Sequence, residues 1–452
     1  MWMLVCVVIT VCYGEARSSL PSPSEANVRL FLTKKGIDYA NQRLMSNIVS
    51  EVEGLRIPSV SITKSIWWNR IDLSLYNSKV NKVNLGSSSL SFGYGHMKLS
   101  LHLSSAEIVG KYNYRGGIIG WGRGTYRVKL TRVSLTKYLS LGANAKGKPY
   151  IKNRGCNTWI GDIDPIFRGE SSFILNLFVQ LVKTSVQQDV QKMICKSITD
   201  GINERGRKLP QMYQDKFPVT KVASAEIHFP ILESPSIQRG FVDFVIEGGV
   251  YSSLYTLTSA TSGQGINHLS YYPNPYKMLS IVLSDRMFNS LAELYYKAGV
   301  VRIDEIQIND VNPSLKVNID LVRPPFTNTN ASGSFFTLYL NGTVKDNSSN
   351  YEVGLLVTGD FRIQEEDRVL SGKVSNLRFN LTDCAENAPK DLRDIIVPSL
   401  FSSRDDLAEI VSNSFMNDMA PLPLIPTVKI VNKRVLYEQG YTVFECDLVE
   451  KK

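Results

Sequence analysis

The chain has 452 residues, 43% hydrophobic and 21% charged, the proportions of a folded globular protein of two or three domains. Beyond its apolar start, no run is long enough to span a bilayer. Charge is divided unevenly: through Ala225 there are 31 Lys and Arg against 14 Asp and Glu, and after it 20 against 28. A polyanionic partner is therefore expected for the first half, the plainer alternative being a solvated basic surface.

Met1 to about Gly14 is apolar and ends in small residues, though without a basic leader. It reads as a signal peptide, residues 1–16, and so as a secreted, extracellular protein. Strand-like residues Asn27–Leu32 follow, then from Thr33 a helical spacing of Ile37, Ala40, Leu44, Ile48 and Val52. From Leu55 to about Tyr150 the pattern changes to short alternating runs separated by Gly, Asn and Ser. Ser59–Ile66, Arg70–Asn77, Val83–Phe92, His96–Leu103, Glu107–Tyr114, Thr125–Val133 and Tyr138–Ala143 read as an antiparallel meander. Between Ile108 and Gly161 there are eleven basic residues and no acidic one.

The longest element runs from Glu170 to Arg205. Ile174, Phe178, Val182, Val186, Val190, Ile194, Ile198 and Ile202 recur at i+4, one face of a helix about 50 Å long. Such a face needs a long partner surface, and the sheet before it is the available one. Prolines and short strands (Phe241–Glu247, Val250–Leu257) make residues 226–275 a connector between a basic N-terminal domain, 17–225, and a C-terminal domain, 276–452. There the order repeats. Ser284 caps a helix bearing Met287, Phe288, Leu291, Leu294 and Tyr295, ended by Gly299. Strands Ser314–Leu321, Ser334–Leu340, Val353–Ile363 and Val369–Leu381 precede a helix Ser403–Met419 and a strand pair, Thr427–Val435 and Tyr441–Leu448. A sheet curled on a helix leaves an elongated apolar interior. Ile174, Phe178, Val182, Val186, Val190 and Ile194 would line one such lipid slot, and Met287, Phe288, Leu291 and Tyr295 a second; the alternative for each is plain core.

Cys6 and Cys12 leave with the signal, and Cys156, Cys195, Cys384 and Cys446 remain, which allows three pairings. Sequons at Asn330, Asn341, Asn347 and Asn380 would place loops of the second half in solvent as glycosylation sites.

Leu32-Thr33-Lys34-Lys35-Gly36-Ile37-Asp38-Tyr39-Ala40 and Leu55-Arg56-Ile57-Pro58 resemble the first helix and its exit in the bactericidal/permeability-increasing protein and lipopolysaccharide-binding protein family. Met278 to Asp285, with Phe288-Asn289 and Ala298-Gly299, resembles that family's second-domain start, and Pro421-Leu422-Pro423 before Val428 its closing segment. The separation of Cys156 and Cys195 is similar to that of the family's shared disulfide, which leaves Cys384 with Cys446 as a possible second. The resemblance implies an α+β boomerang: two elongated, strongly curved antiparallel barrels, each wrapped on a long helix, joined by a central sheet. It implies one phospholipid-sized pocket per barrel, no enzyme activity, no cofactor beyond bound phospholipid as ligand, and as partners lipopolysaccharide, phospholipids and an anionic or bacterial membrane surface.

At the barrel tip the sequence departs from the lysine-dense bactericidal member. Lys64, Arg70, Lys111, Arg115, Arg123 and Arg127 are interleaved with Trp67, Trp68, Ile118, Ile119 and Trp121. The expected role is a wedge of interfacial aromatics flanked by arginines that grip lipid phosphate. His96, His102, His228 and His268 are scattered, and no nucleophile elbow, zincin motif or phosphate loop is present. The reading is an antibacterial, innate-immune lipid-binding protein, monomeric and not directed at nucleic acid. The alternative is an extracellular carrier of phospholipid or neutral lipid.

Overall fold

The computed structural model describes residues 26–42, 53–54, 56–66, 69–116, 120–170, 179–258, 266, 271–300, 303–307, 316–346, 349–366, 369–385, 392–402, 404–413, 420–421 and 428–450. The stretch expected to be a signal peptide, residues 1–16, lies outside them. The architecture is α+β: a long antiparallel sheet in each half, helices laid against it, and a central sheet shared by both.

The central sheet has the order Ser236–Ile237, Phe241–Ile246, Val28–Thr33, Leu279–Ser284, Tyr441–Glu450, Val428–Glu438. Its two middle strands read as continuous apolar runs because both their faces are covered. Leu30, Leu32, Ile281 and Phe444 face the main core, while Phe31, Val282 and Val443 form a second layer with Ile266 and Leu232. The middle strands pair antiparallel, Leu30 opposite Ile281, and each runs straight into a helix capped by a hydroxyl. Thr33 Oγ1 accepts from Gly36 N at 3.4 Å, and Ser284 Oγ from Arg286 N at 3.1 Å. The repeated order expected from the sequence thus begins twice from one hydrogen-bonded pair.

The N-terminal sheet has much longer strands than the short runs suggest. Asn69–Gly93, His96–Gly116, Gly120–Ala143 and Pro149–Gly169 span 25, 21, 24 and 21 residues. The first three are the predicted runs fused in pairs, and each break coincides with a bulge. Register shifts fall between Tyr76 and Ser87 opposite His102–Lys111, and at Lys137/Leu139; Asn77 and Arg132 adopt φ of 51° and 53°. A bulge inserts one residue, which flips the apolar parity and makes one strand look like two. Pro149–Gly169 was not expected as a strand. Pro165 sits inside it, which suits an edge position, and helix Val179–Met212 packs along that edge.

The C-terminal sheet runs Ile303–Gln307, Lys316–Leu321, Gly333–Asp346, Ser349–Glu366, Val369–Cys384, Ala420–Pro421, with Phe326–Asn330 beside Gly333–Asp346. Helices Leu392–Ser402 and Arg404–Val411 lie on it. The first carries Pro398, which masked it in the sequence. No helix among the described residues is long and apolar enough to cross a membrane.

Cys156 and Cys195 are bonded, tying the edge strand to the long helix across 39 residues. Cys384 and Cys446 are free thiols, which corrects the second pairing: Cys446 stands opposite Leu279 in the central sheet and Cys384 opposite Val353 in the C-terminal one. Burial pushes the Cys446 thiol up to about 12. Cys195→Ser is expected to lower stability by about 2–4 kcal/mol in chemical denaturation, and reductant should reproduce the loss in the parent but not in the variant.

Candidate functional site

The far end of the N-terminal sheet is where strands His96–Gly116 and Gly120–Ala143 approach their turn. Arg115 pairs with Trp121, Tyr114 with Gly122, Asn113 with Arg123, Tyr112 with Gly124, Lys111 with Thr125, Gly110 with Tyr126 and Val109 with Arg127. Parity does the rest. One set points inward as three consecutive tyrosine–glycine pairs, with Tyr112, Tyr114 and Tyr126 buried. Each ring lies over its partner: a Cβ at Gly110 would come 2.6 Å from the Tyr126 ring, and one at Gly122 2.6 Å from that of Tyr114. The Tyr126 hydroxyl bonds the buried Ser78, Tyr112 donates to the Glu170 carbonyl at 3.4 Å, and Phe167 meets Tyr112 edge-on at 5.4 Å. Burial raises the Tyr112 and Tyr126 phenols. The Tyr114 hydroxyl has no hydrogen-bond partner among the described residues.

The other set faces solvent and is cationic. Lys111, Arg115, Arg123 and Arg127 are exposed, and the register adds Lys79 beside Val109 and Arg168 beside Thr125. Among the described residues Asp164 continues this outward set beyond Ile166, and two carboxylates lie among the cations themselves. Asp72 accepts from Thr63 Oγ1 at 2.5 Å and Arg70 Nε at 3.3 Å, and the Thr63 hydrogen bond, with Arg70 and Arg115 nearby, holds it below the usual carboxylate range. Glu107 stands 3.4 Å from Arg127 Nε. Lys111, Arg115, Arg123 and Arg168 form no ion pair with a described carboxylate. Lys111, Arg127, Arg168, Val109, Ile166 and Tyr126 line a cleft of about 320 Å³. Trp121, 71% exposed, and Ile166, 44% exposed, set apolar surface among the charges. Neighbouring strands are about 4.8 Å apart, so adjacent guanidinium forks can hold different oxygens of one phosphate group.

Residues 36–204 match the family described as LBP / BPI / CETP family, N-terminal domain. That stretch is similar to the N-terminal domain of the LBP/BPI/CETP family. It is 23% identical over 301 residues to a bactericidal permeability-increasing protein of Sebastes schlegelii, covering 66% of this chain and 62% of that one. To a lipopolysaccharide-binding protein of Homo sapiens it is 24% identical over 297 residues, covering 62% and 58%. In both cases the match spans about three fifths of the relative's own length. A bactericidal permeability-increasing protein of Rattus norvegicus aligns over 464 residues at 20% identity, covering 92% of each chain. A crystal structure of lipopolysaccharide binding protein superposes with a TM-score of 0.63 at 16% identity, covering 94% of this chain and all of that one, which shows the shared fold.

Within this fold, the structure gathers Arg70, Lys111, Arg115, Trp121, Arg123 and Arg127 on one outer face. Lys64 stands opposite Ile71 in the register, and its side chain lies outside the described residues, as do Trp67, Trp68, Ile118 and Ile119. Of the first expected slot, Ile174 and Phe178 lie outside the described residues, and Val182 and Val186 are described in backbone only. Val190 is buried in the distal core and Ile194 packs against both N-terminal clusters. Met287, Phe288, Leu291 and Tyr295 are all in the main core, Phe288 edge-on to Phe361 at 5.7 Å. The apolar gap of the second half lies elsewhere, between strands bearing Leu338, Leu355 and Val357 and helix residues Leu400, Leu407 and Val411; it measures about 10 Å³, the room of one water at most. Asn341 and Asn380 are exposed on the C-terminal sheet, Asn330 is half-buried with Oδ1 accepting from Ser332 N at 2.9 Å, and Asn347 lies outside the described residues.

Sequence reasoning missed Lys79, Ile166 and Arg168. The signal for the last two was the alternation of Ile163, Pro165 and Phe167 with Asp164, Ile166 and Arg168, hidden by the proline. Gly124→Val tests the interior packing that sets the outer face. The new side chain would start 2.2 Å from the Arg168 carbonyl and 2.8 Å from the Tyr112 ring. A loss of about 1–3 kcal/mol is expected from overpacking, read by thermal melting, whereas Trp121→Ser on the outside should leave the melt unchanged.

Proposed function

We propose that the protein is a secreted, non-catalytic lipid-binding protein of innate antibacterial defence. It takes anionic bacterial lipid, lipopolysaccharide through its lipid A part, on the basic outer face at the far end of the N-terminal sheet. It holds phospholipid within its halves and acts as a monomer. The observation that carries this reading is the set Lys111, Arg115, Arg123 and Arg168, four cations on one face with no described carboxylate to neutralise them, beside exposed Trp121 and Ile166. Relatives named for binding lipopolysaccharide or for bactericidal permeability support the same ligand class.

Phosphates of lipid A supply the missing negative charge, and the exposed apolar side chains meet the acyl region. Each basic residue near an anionic surface contributes about 1 kcal/mol, so removing four should weaken binding about a thousandfold. The test is titration of labelled lipid A with the full chain and with the combined variant K111Q, R115Q, R123Q and R168Q. These side chains are exposed, so the variant is expected to melt like the parent. Parent binding should fall steeply between about 0.05 and 1 M salt. Unchanged affinity in the variant overturns the reading. Salt-insensitive transfer of zwitterionic phospholipid would favour the carrier alternative.

A further inference from the structure

Several buried charges among the described residues have their counter-charge inside the chain. Arg29 pairs with Asp243, Asp447 with Lys35 at 2.9 Å, Glu365 with Lys433, and Glu293 with Lys297 at 2.7 Å. Lys137 has none among the described residues. It interrupts an inward apolar stripe, Val133, Leu135, Leu139 and Leu141, on strand Gly120–Ala143, and is 2% exposed. Its neighbours in the register are Leu99 on one side and the disulfide-bonded Cys156 on the other. Its Nζ donates to Thr199 Oγ1 at 2.9 Å, one turn along the helix from Cys195. Among the described residues that is its one hydrogen bond, and no carboxylate pairs with it. Burial lowers the amine's pKa without a compensating charge.

An ammonium has three protons to donate, and one hydroxyl leaves most of its desolvation uncompensated. The location adds a second observation. Val133, Ile160 and Val190 belong to the distal apolar cluster, whereas Leu135, Leu139, Ile198 and Ile202 belong to the main core. Lys137 and Thr199 therefore stand just on the main-core side of the change from one cluster to the other, a polar point within an otherwise apolar interior.

We propose that Lys137 is an internal anchor for the phosphate of an acyl lipid held between the concave face of the N-terminal sheet and helix Val179–Met212. This rests on the reading that the protein holds phospholipid, and names the group that would orient it. The phosphate oxygens replace the water that the ammonium gives up, Thr199 holds the amine toward the helix, and acyl chains lie against the flanking leucines.

The full chain would be incubated with equal dioleoylphosphatidylglycerol and dioleoylglycerol, which share chains and differ in the phosphate-bearing headgroup, then re-isolated and extracted for mass spectrometry. A charge-assisted hydrogen bond predicts enrichment of the phosphatidylglycerol by about tenfold or more. Lys137→Met keeps the length, removes the buried charge and should melt no lower than the parent, yet carry both lipids without preference. A shifted 31P resonance of phosphatidylglycerol bound to the parent, absent with Lys137→Met, would report the contact directly. With lipid A as the offered lipid, the same dependence on Lys137 would assign the phosphate to that source. Retained preference in Lys137→Met overturns the anchor and leaves lipid binding standing. A parent that takes up neither glycerolipid nor lipid A overturns the lipid-holding reading, and the anchor with it.

Discussion

The controlling constraint is an edge. Strand Pro149–Gly169 ends the N-terminal sheet, and an uncovered strand of 21 residues would leave a row of unpaired backbone groups. The long helix covers it by side-chain contacts instead of a further strand. Gln187 donates to the Ile160 carbonyl at 3.4 Å, Lys183 approaches Asp162 at 3.8 Å, and Asn153 bonds Asn203. The disulfide fixes this seam near its middle. Because the seam is polar, the helix can turn Val190, Ile194 and Ile202 toward the sheet's interior. Among the described residues no element then covers the cationic outer face.

The two faces of the same strands do different work because parity separates them. Inside, tyrosine over glycine fills the narrow end with rings; outside, Lys111, Arg115, Arg123 and Arg168 form no ion pair with a described carboxylate. The fold thus concentrates positive charge without burying it, and keeps an apolar interior without exposing it. Two short-range devices, glycine under each ring and a bulge where parity must change, are enough to hold both arrangements on one ribbon of chain.

Much of this was legible in the sequence. The i+4 ladder from Val182 to Ile202 gave the helix, the uneven charge gave the basic half, and Ser284 with Gly299 gave the bounds of the second-half helix. Helix 34–42 begins where Thr33 suggested. Strand lengths were not legible, since Asn77 and Arg132 break the alternation while the hydrogen-bonded ladder continues. Strand Pro149–Gly169 and helix Leu392–Ser402 were obscured by Pro165 and Pro398, residues that local rules read as breaks and the tertiary context tolerates. At the site, Lys111 and Arg127 were legible from local density of charge, whereas Arg168 joined them only through pairing with Thr125. Cys446 was mispaired because parity of count says nothing about which sheet a thiol occupies.

The change of parity also governs sliding. A long antiparallel strand with plain alternation could shift by two residues against its neighbour and still present the same faces, so length alone brings ambiguity of alignment. Arg132, at φ 53°, allows no such freedom, because the inward parity changes there from Leu130 to Val133 while the register with the neighbouring strand runs on unshifted, so a slide would set the change out of step. It acts like the pin of a vernier: set in the middle of strand Gly120–Ala143, it settles that Trp121 near one end meets Arg115 and that Leu139 toward the other meets Met97.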